Sequence, residues 1–402
     1  MNDSAQEIDS GNVRIGASAL LHRGKTMARS AFTGALAVSA FLLSAAAMTK
    51  AASVDQAPNG VPSRLLNQLD RGVNITRWFC YSDAHDTARF KGYLVDEDFQ
   101  NFKNLGVHYV RLCISPEVIY KDGSANPENL AYIDAAIDKL EKAGLAVLWD
   151  LHDNGQMKLD EPGHDNAPFV KFWAEIAKHY AGKQESATVF ELLNEPIFQK
   201  NPEVWYKLQK ETVAAIRVVD PKRTILVAST GWNGIDTLLA MQPLEEKNLV
   251  YSFHCYDPFT FTHQGASWTG EQQKALRDVP FPSSPDAVNA MIDKIPDPYK
   301  GAVRDYGEKR YGAQYLFDRL SSCSQWGARN RVPVLLGEFG AFPPVSPVDS
   351  RARWFDAMAA AISSLKLPNA VWGYDDALGL GRSVQDGKVS LDSNVLTHLY
   401  GK

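Results

Sequence analysis

The chain has 402 residues, of which 45% are hydrophobic and 22% charged, and its formal net charge is -5 at pH 7. This composition is typical of a folded globular protein with a large core, and it disfavours extensive disorder. The mildly acidic balance disfavours nucleic acid as a partner, and the sequence has neither a basic stripe nor a glycine-rich phosphate loop. Nucleic-acid binding and P-loop chemistry therefore have no support.

The first 51 residues differ in composition from the rest of the chain. An apolar stretch at 31–48 is rich in Ala, Ser, Thr and Gly. Basic residues precede it and small residues follow it, namely Arg23, Lys25 and Arg29 before, and Ala51 and Ala52 after. This order is that of a secretory signal, so we predict that residues 1–51 form an N-terminal extension and a cleaved signal peptide, with a secreted or periplasmic product. A single anchoring helix is the alternative.

From about residue 60 onward, short apolar runs alternate with amphipathic helical stretches such as 129–143 and 202–218. The runs predicted as strands are 72–75, 109–113, 146–151, 188–193, 224–228, 249–254, 333–337 and 370–373. Many are apolar throughout, which is typical of parallel strands buried on both faces. Eight such strands predict one (β/α)8 barrel at 52–402. The rival open sheet would usually carry a dinucleotide fingerprint after its first strand.

A long stretch after the sixth predicted strand, 257–311, is rich in Pro and Gly and has few apolar repeats. We predict a loop insertion that overhangs the C-terminal face of the barrel. The four cysteines, Cys80, Cys113, Cys255 and Cys323, lack metal spacing, and in an oxidising compartment they could be disulfides or buried free thiols.

Two glutamates lie where predicted buried strands end. Glu195 follows the apolar run 189–193 within Asn-Glu-Pro, and Glu338 follows the run 333–337 within Glu-Phe-Gly. An ionisable group at such a position costs free energy unless it serves a purpose, and the C-terminal mouth of this barrel is where catalytic groups collect. A separation of about 5 Å between the carboxyl groups would indicate a retaining glycosidase, and a wider gap an inverting one.

These motifs resemble the signatures of glycoside hydrolase family 5, the large cellulase family. The resemblance extends over nearly all of the chain after the leader. It includes Arg71-Gly72-Val73-Asn74 on strand one, Arg111 on strand two, His152 after strand three, His254 and Tyr256 after strand six, and Trp372 on strand eight. The ordered set, each member at its expected strand, implies a retaining β-glycanase.

By this resemblance, Glu195 would be the acid/base and Glu338 the nucleophile. A neighbouring carboxylate raises the pKa of an acid/base glutamate, and Arg111 with the Tyr256 hydroxyl would hold Glu338 ionised. Asn194 is placed to bind the sugar 2-hydroxyl. The alternative for the two glutamates is a buried salt bridge, and for Arg111 and Tyr256 structural support alone.

The remaining candidates would bind substrate. His152 and His254 would contact sugar hydroxyls or tune the carboxylates, unless they are satisfied core histidines, and no third ligand lies at metal spacing from them. Trp372 would offer an apolar face to a pyranose ring. Trp232 and Trp268 are candidates for the same role or for ordinary packing.

We therefore predict hydrolysis of internal β-1,4 bonds in a cellulose-like glucan by double displacement, without cofactor or metal, by a monomer. A mannanase or another β-glycanase of the family would share these residues, as would a transglycosylase that processes polysaccharides. A non-catalytic carbohydrate-binding barrel is the hypothesis from a different class, and the intact glutamate pair argues against it.

Overall fold

Eight parallel strands close into a barrel in the computed structural model, which describes residues 59–121, 123–182 and 187–402. In chain order they are β1 (Arg71–Phe79), β2 (Tyr109–Ile114), β3 (Ala146–Leu151), β4 (Thr188–Glu191), β5 (Ile225–Ala228), β6 (Leu249–His254), β7 (Val334–Glu338) and β8 (Asn369–Val371). Each strand pairs with the next, and β8 closes the barrel against β1. The predicted fold is confirmed, and each predicted strand overlaps one of these eight.

The barrel strands are apolar because both of their faces are covered. Every residue of β2 and β3 is buried, with one face turned to the bore and the other to the helices outside. The helices outside the insertion are Ser63–Gln68, Thr87–Gly92, Asp96–Leu105, Pro116–Ile119, Pro127–Lys142, Ala167–Tyr180, Pro202–Val219, Thr230–Asn233, Ile235–Ala240, Ala313–Asn330, Val348–Leu365 and Ser393–Tyr400. Two small hairpins pair Tyr120–Lys121 with Ser124–Ala125, and Ser383–Gln385 with Lys388–Ser390.

The helix predicted at 129–143 starts two residues earlier, at Pro127, because a cap precedes it. The side chain of Asn126 accepts hydrogen bonds from the backbone N–H groups of Glu128 and Asn129, and Pro127 occupies the first helical position. Its buried side chains include Leu130, and they form the apolar stripe that the spacing predicted.

A separate apolar cluster forms the floor of the barrel. Each of the strands β2 to β8 contributes one or two inward side chains to this cluster. Val61 and Leu69, which flank helix Ser63–Gln68, complete it. Asn59 ties this segment to the start of β6, since its carbonyl accepts from Asn248 N–H at 2.6 Å and its side-chain amide donates to the Glu246 carbonyl at 3.3 Å. Residues 59–69 therefore lie across the N-terminal ends of the strands.

The insertion predicted after strand six is present, but short helices build it rather than irregular loop. They are Phe259–Thr262, Glu271–Ala275, Pro285–Asn289 and Asp297–Glu308, with a 3-10 turn at Ile292–Lys294. Phe281, Val288, Ile295 and Val303 are buried and belong to the main core. The insertion is thus a packed part of the barrel domain.

All four cysteines are buried free thiols. The predicted extension and signal peptide, residues 1–51, lie outside the described residues, so that prediction and the boundary with 52–402 stay predictions. Within the part of the chain that the structure describes, no helix is both long enough and apolar enough to cross a bilayer.

Candidate active site

Glu195 and Glu338 meet at the C-terminal mouth of the barrel. Glu338 is the last residue of β7, and Glu195 lies four positions beyond the end of β4. One carboxylate oxygen from each and one ring nitrogen of His254 all lie within 4.8 Å of one another. The two glutamates that the sequence singled out therefore face each other across the bore.

Two side chains donate hydrogen bonds to Glu338. Arg111 Nη1 donates to Oε1 at 2.7 Å and the Tyr256 hydroxyl donates to Oε2 at 2.8 Å, while His254 Nδ1 lies 3.4 Å from Oε2. Burial raises the pKa of Glu338 above its ordinary value, and the charge of Arg111 opposes that rise. Both donors favour the ionised carboxylate, which is the form that a nucleophilic glutamate requires.

Glu195 has a different environment. His254 Nδ1 is hydrogen-bonded to its Oε1 at 2.8 Å, and 27% of its side chain is exposed to the cleft. Removal from water raises the pKa of Glu195 to about 7, and the Asp150 carboxylate adds to the rise. The sequence predicts the neighbouring Glu338 carboxylate as the cause of the raised pKa, whereas in the structure the cause is burial first and the Asp150 carboxylate after it. A glutamate with this pKa can hold and deliver a proton near neutral pH.

Arg111 lies at the centre of the site, fully buried, and its five N–H groups match five acceptor contacts. Nε and Nη2 donate to the two oxygens of Glu191 at 2.6 and 2.8 Å. Nη1 donates to Asn74 at 2.8 Å and to Glu338 at 2.7 Å, and Nη2 also donates to Asn194 at 2.7 Å. The guanidinium thereby links strands β1, β4 and β7 with the segment that carries Glu195.

His152 belongs to the same network. Its Nδ1 is hydrogen-bonded to Asp150 Oδ2 at 2.7 Å, and its Nε2 lies 3.3 Å from Asn194 Nδ2. Burial lowers the pKa of His152 and of His254 to about 4, so both imidazoles are neutral at pH 7. Neutral rings in these positions can form hydrogen bonds without adding positive charge beside the carboxylates.

Trp372 forms part of the site wall, with its indole nearly parallel to the His152 ring at a centroid distance of 5.2 Å. It is almost completely buried. Tyr81 packs edge-on against both rings, and its hydroxyl lies 3.1 Å from His152 Nε2 and donates to Asn154. Tyr81 is 49% exposed and has φ 47°, a left-handed conformation that is uncommon for an aromatic residue.

Trp232 and Trp268 are both exposed, at 48% and 58%. The backbone N–H of Trp232 donates to the carbonyl of Pro196 at 3.1 Å. This hydrogen bond holds the Trp232 backbone next to the residue that follows Glu195. Trp268 lies in the insertion and packs edge-on against Phe342 at 4.9 Å. Among the described residues, neither indole is hydrogen-bonded to Glu195 or Glu338, and both indoles are exposed.

Three residues of the site were not identified from the sequence: Glu191, Asp150 and Tyr81. Glu191 and Asp150 are charged residues within otherwise apolar strands, and this could have identified them, because a buried charge requires a partner. Tyr81 follows β1 in a turn, and no pattern in the sequence indicates its position.

Two groups of side chains have the atom types of a metal site. They are Cys113, Asp150 and His152, and the trio Glu195, His254 and Glu338. The sequence had suggested that no third ligand accompanies the histidines, and the fold supplies two carboxylates to His254. In each group, however, the imidazole Nδ1 already forms a hydrogen bond of 2.7 or 2.8 Å with a carboxylate, which accounts for the close approach.

Comparison with known proteins agrees with this geometry. The model of the cellulase family, glycosyl hydrolase family 5, matches residues 73–377. Endoglucanase 3 of Fibrobacter succinogenes is 27% identical over 357 residues, 82% of this chain and 53% of that protein, so the chain spans about half of its length. Endoglucanase C of Acetivibrio thermocellus is 25% identical over 314 residues, 75% of this chain and 90% of that protein.

Among solved structures, Thermotoga maritima Cel5A in complex with cellobiose is 26% identical, with a TM-score of 0.66 over 85% of this chain and 99% of that one. The family match covers well over half of the sequence and includes both glutamates. The chain therefore belongs to glycosyl hydrolase family 5, and it is a glycoside hydrolase.

Proposed function

We propose that this chain is a retaining endo-β-1,4-glucanase that cleaves a cellulose-like glucan by double displacement. The observation that carries the proposal is the approach of Glu195 and Glu338, whose nearest oxygens lie within 4.8 Å of one another. Retaining glycosidases place their carboxyl groups about 5 Å apart, whereas inverting ones need about 6.5 to 9.5 Å so that a water fits between the sugar and the base. This spacing fits the shorter separation of the retaining enzymes.

In the first step, Glu338 attacks the anomeric carbon while Glu195 gives its proton to the departing glycosidic oxygen. The C–O bond to the leaving sugar breaks, and an ester bond to Glu338 forms. Arg111 and Tyr256 keep the nucleophile ionised and fix the direction of its lone pairs. The raised pKa of Glu195 supplies the proton near neutral pH.

In the second step, Glu195, now ionised, removes a proton from a water that attacks the same carbon from the face the leaving group has vacated. The ester to Glu338 breaks, and the product keeps the β configuration. Asn194, held by Arg111 at 2.7 Å, would bind the 2-hydroxyl of the reacting sugar, a contact that strengthens in the transition state.

Aromatic and imidazole side chains would position the glucan. Trp372, which lies in the site wall against His152, would contact the reacting sugar, and His152 and His254 would form hydrogen bonds with hydroxyl groups. Trp232, attached beside Glu195, and Trp268, on the insertion, would extend the binding surface beyond the cleaved bond. Exposed indoles at the edge of a cleft suit the apolar faces of β-linked pyranoses.

The relatives support a β-1,4-glucan as substrate. Two of them are named endoglucanases, and the Thermotoga structure contains cellobiose. The predicted leader supports action outside the cytoplasm, in the periplasm or beyond. We propose separately that the enzyme is a monomer. Release of the mature protein into the medium or the periplasm, followed by N-terminal sequencing, tests this localisation.

The testing experiment is reducing-sugar release by the purified protein on carboxymethylcellulose, mixed-linkage glucan, mannan and xylan. We expect release from both glucans, and loss of turnover in Glu338→Ala. Glu203→Ala, which removes an exposed glutamate on helix Pro202–Val219, is the matched control and should behave as wild type. Release only from mannan or xylan would change the substrate and keep the mechanism.

Azide distinguishes the two glutamates. With an activated β-glycoside, azide should restore turnover in Glu338→Ala and give the α-glycosyl azide, because the small anion attacks from the face that Glu338 has left. A β-glycosyl azide from this variant, or near-normal hydrolysis without azide, would show that Glu338 is not the nucleophile.

A further inference from the structure

We propose that Glu191 is a positioning residue: it fixes the plane of the Arg111 guanidinium so that one edge faces Glu338 and another faces Asn194. The inference rests on the proposed function, since it concerns the same nucleophile and the same reaction. It assigns a role to a side chain that has no contact with the space a sugar would occupy.

The contact between the two residues has the geometry of a clamp. Arg111 Nε donates to Glu191 Oε2 at 2.6 Å, and Nη2 donates to Oε1 at 2.8 Å, so two parallel hydrogen bonds join a planar fork to a planar carboxylate. Both side chains are fully buried. Paired hydrogen bonds of this kind restrict rotation of the guanidinium in a way that a single ionic contact cannot.

The orientation of the guanidinium decides what the remaining donors reach. With the Nε and Nη2 edge held by Glu191, Nη1 is left to address Glu338 and Asn74, and the second N–H of Nη2 addresses Asn194. The guanidinium is rigid and planar. A rotation that broke the Glu191 contact would therefore move Nη1, which donates to Glu338, and Nη2, which donates to Asn194, at the same time. One carboxylate thereby controls the alignment of two groups that touch the substrate.

Asp150, a third buried carboxylate near Arg111 beside Glu191 and Glu338, does not perform this task. Asp150 Oδ2 lies 3.2 Å from Nη2, longer than either Glu191 bond, and the same oxygen accepts from His152 Nδ1 at 2.7 Å. Asp150 therefore contributes charge to Arg111 and orientation to His152. Among the residues that the structure describes, Glu191 is the one that bonds Arg111 through both carboxylate oxygens.

A positioning role can be separated from a purely electrostatic one by the direction of a pH shift. Titratable or charged groups face Glu191 and Glu338 from several elements. Among the described residues they are Tyr81 after β1, Tyr109, Arg111 and Cys113 on β2, Asp150 and His152 on or after β3, Glu195 after β4, and His254 and Tyr256 on or after β6. In Glu191→Gln, loss of the negative charge alone would leave Arg111 less neutralised and would lower the pKa of Glu338. Loss of orientation would instead remove the Arg111 hydrogen bond and raise it.

The experiment compares Glu191→Gln with wild type on a soluble cellooligosaccharide. In the variant, the amide NH2 group faces guanidinium donors, so the fork must turn. We expect kcat to fall by about tenfold to a hundredfold, because a displacement of about 1 Å near the reacting atoms costs that much, with KM little changed. The acid limb of kcat/KM, which reports the ionisation of Glu338, should move to higher pH. A 2-deoxy-2-fluoro-cellobioside should label Glu338, and mass spectrometry can monitor the labelling. The rate of labelling should fall together with kcat.

Two further variants complete the design. Glu191→Asp keeps the charge but is one methylene shorter, so it should also lower kcat, and it tests the clamp if the amide variant fails to fold. The matched control is Asp220→Asn, which alters another buried arginine–carboxylate pair, Arg223 Nε to Asp220 at 2.8 Å, away from the site. It should lower the unfolding temperature and leave the acid limb in place.

The outcomes distinguish the two proposals. If wild type cleaves the glucan and Glu191→Gln has unchanged kcat and an unchanged acid limb, the positioning role is wrong and the proposed function stands. An acid limb that moves to lower pH with kcat preserved would make Glu191 a counter-charge only, and would also overturn the inference. If wild type cleaves no glucan and is not labelled, the proposed function fails and this inference fails with it.

Discussion

Glu195→Gln should stabilise the folded protein, and the gain should increase with pH. The protein raises the pKa of Glu195 from 4.5 to about 7, chiefly by burial, so the folded state disfavours the ionised carboxylate. At about 1.4 kcal/mol per pKa unit, the full effect is about 3 kcal/mol. Because the folded-state pKa lies above the unfolded one, the destabilisation is absent below about pH 4, grows between the two pKa values and is complete above about pH 7. Glutamine keeps the shape and the acceptor for His254, so the variant removes chiefly the charge.

The measurement is the free energy of unfolding in urea for wild type and Glu195→Gln at pH 5 and pH 8. Linkage gives a gain of about 1 kcal/mol at pH 5 and about 3 kcal/mol at pH 8. Glu203→Gln, an exposed change, should show no such trend. If the difference between variant and wild type were the same at both pH values, the carboxylate would not be disfavoured in the fold, and the acid role assigned to Glu195 would lose its physical basis.

The ionisation of Glu195 should also appear in the kinetics. We expect kcat/KM to decline as pH rises through about 7, because Glu195 must be protonated to act as an acid. A pH profile in which kcat/KM stayed unchanged to pH 9 would contradict this expectation. Gly337→Ala should impair both folding and turnover. A Cβ at this position would lie 2.7 Å from Ser252 Oγ and 3.2 Å from His254 Nε2, so His254 would be displaced from Glu195. We expect the free energy of unfolding, measured in urea, to fall by about 1 to 3 kcal/mol. We also expect a lower kcat, measured from initial rates. If neither quantity changed, the site would have relaxed around the added methyl group.

The eight strands and the two glutamates could be predicted because patterns within a few consecutive residues indicate them. Parallel strands covered on both faces must be apolar, and a polar residue at the end of such a run marks the mouth of the barrel. The short helices of the insertion could not be predicted, since segments of three to twelve residues hold too few turns to establish a helical period.

The pairing of Glu191 with Arg111 was also beyond the sequence, although both residues were visible as charges in buried strands. Their contact depends on the register between strands, and a slip of one residue would turn either side chain to the opposite face. Trp232 and Trp268 show the same limit on the surface. Their exposure depends on how the segments after β5 and β6 fold, and no local pattern in the sequence specifies it.

The floor of the barrel has a practical consequence for handling the enzyme. Residues 59–69 close the end opposite the catalytic mouth, with Val61 and Leu69 inserted among the inward side chains and Asn59 bonded at the start of β6. A purification tag, surface linker or fused module joined just ahead of Asn59 would thus emerge on the far side from the cleft and leave it open to a long polymer. A truncation that began beyond Leu69 would expose the apolar side chains at the floor of the barrel to water. Engineered versions should therefore keep residues 59–69.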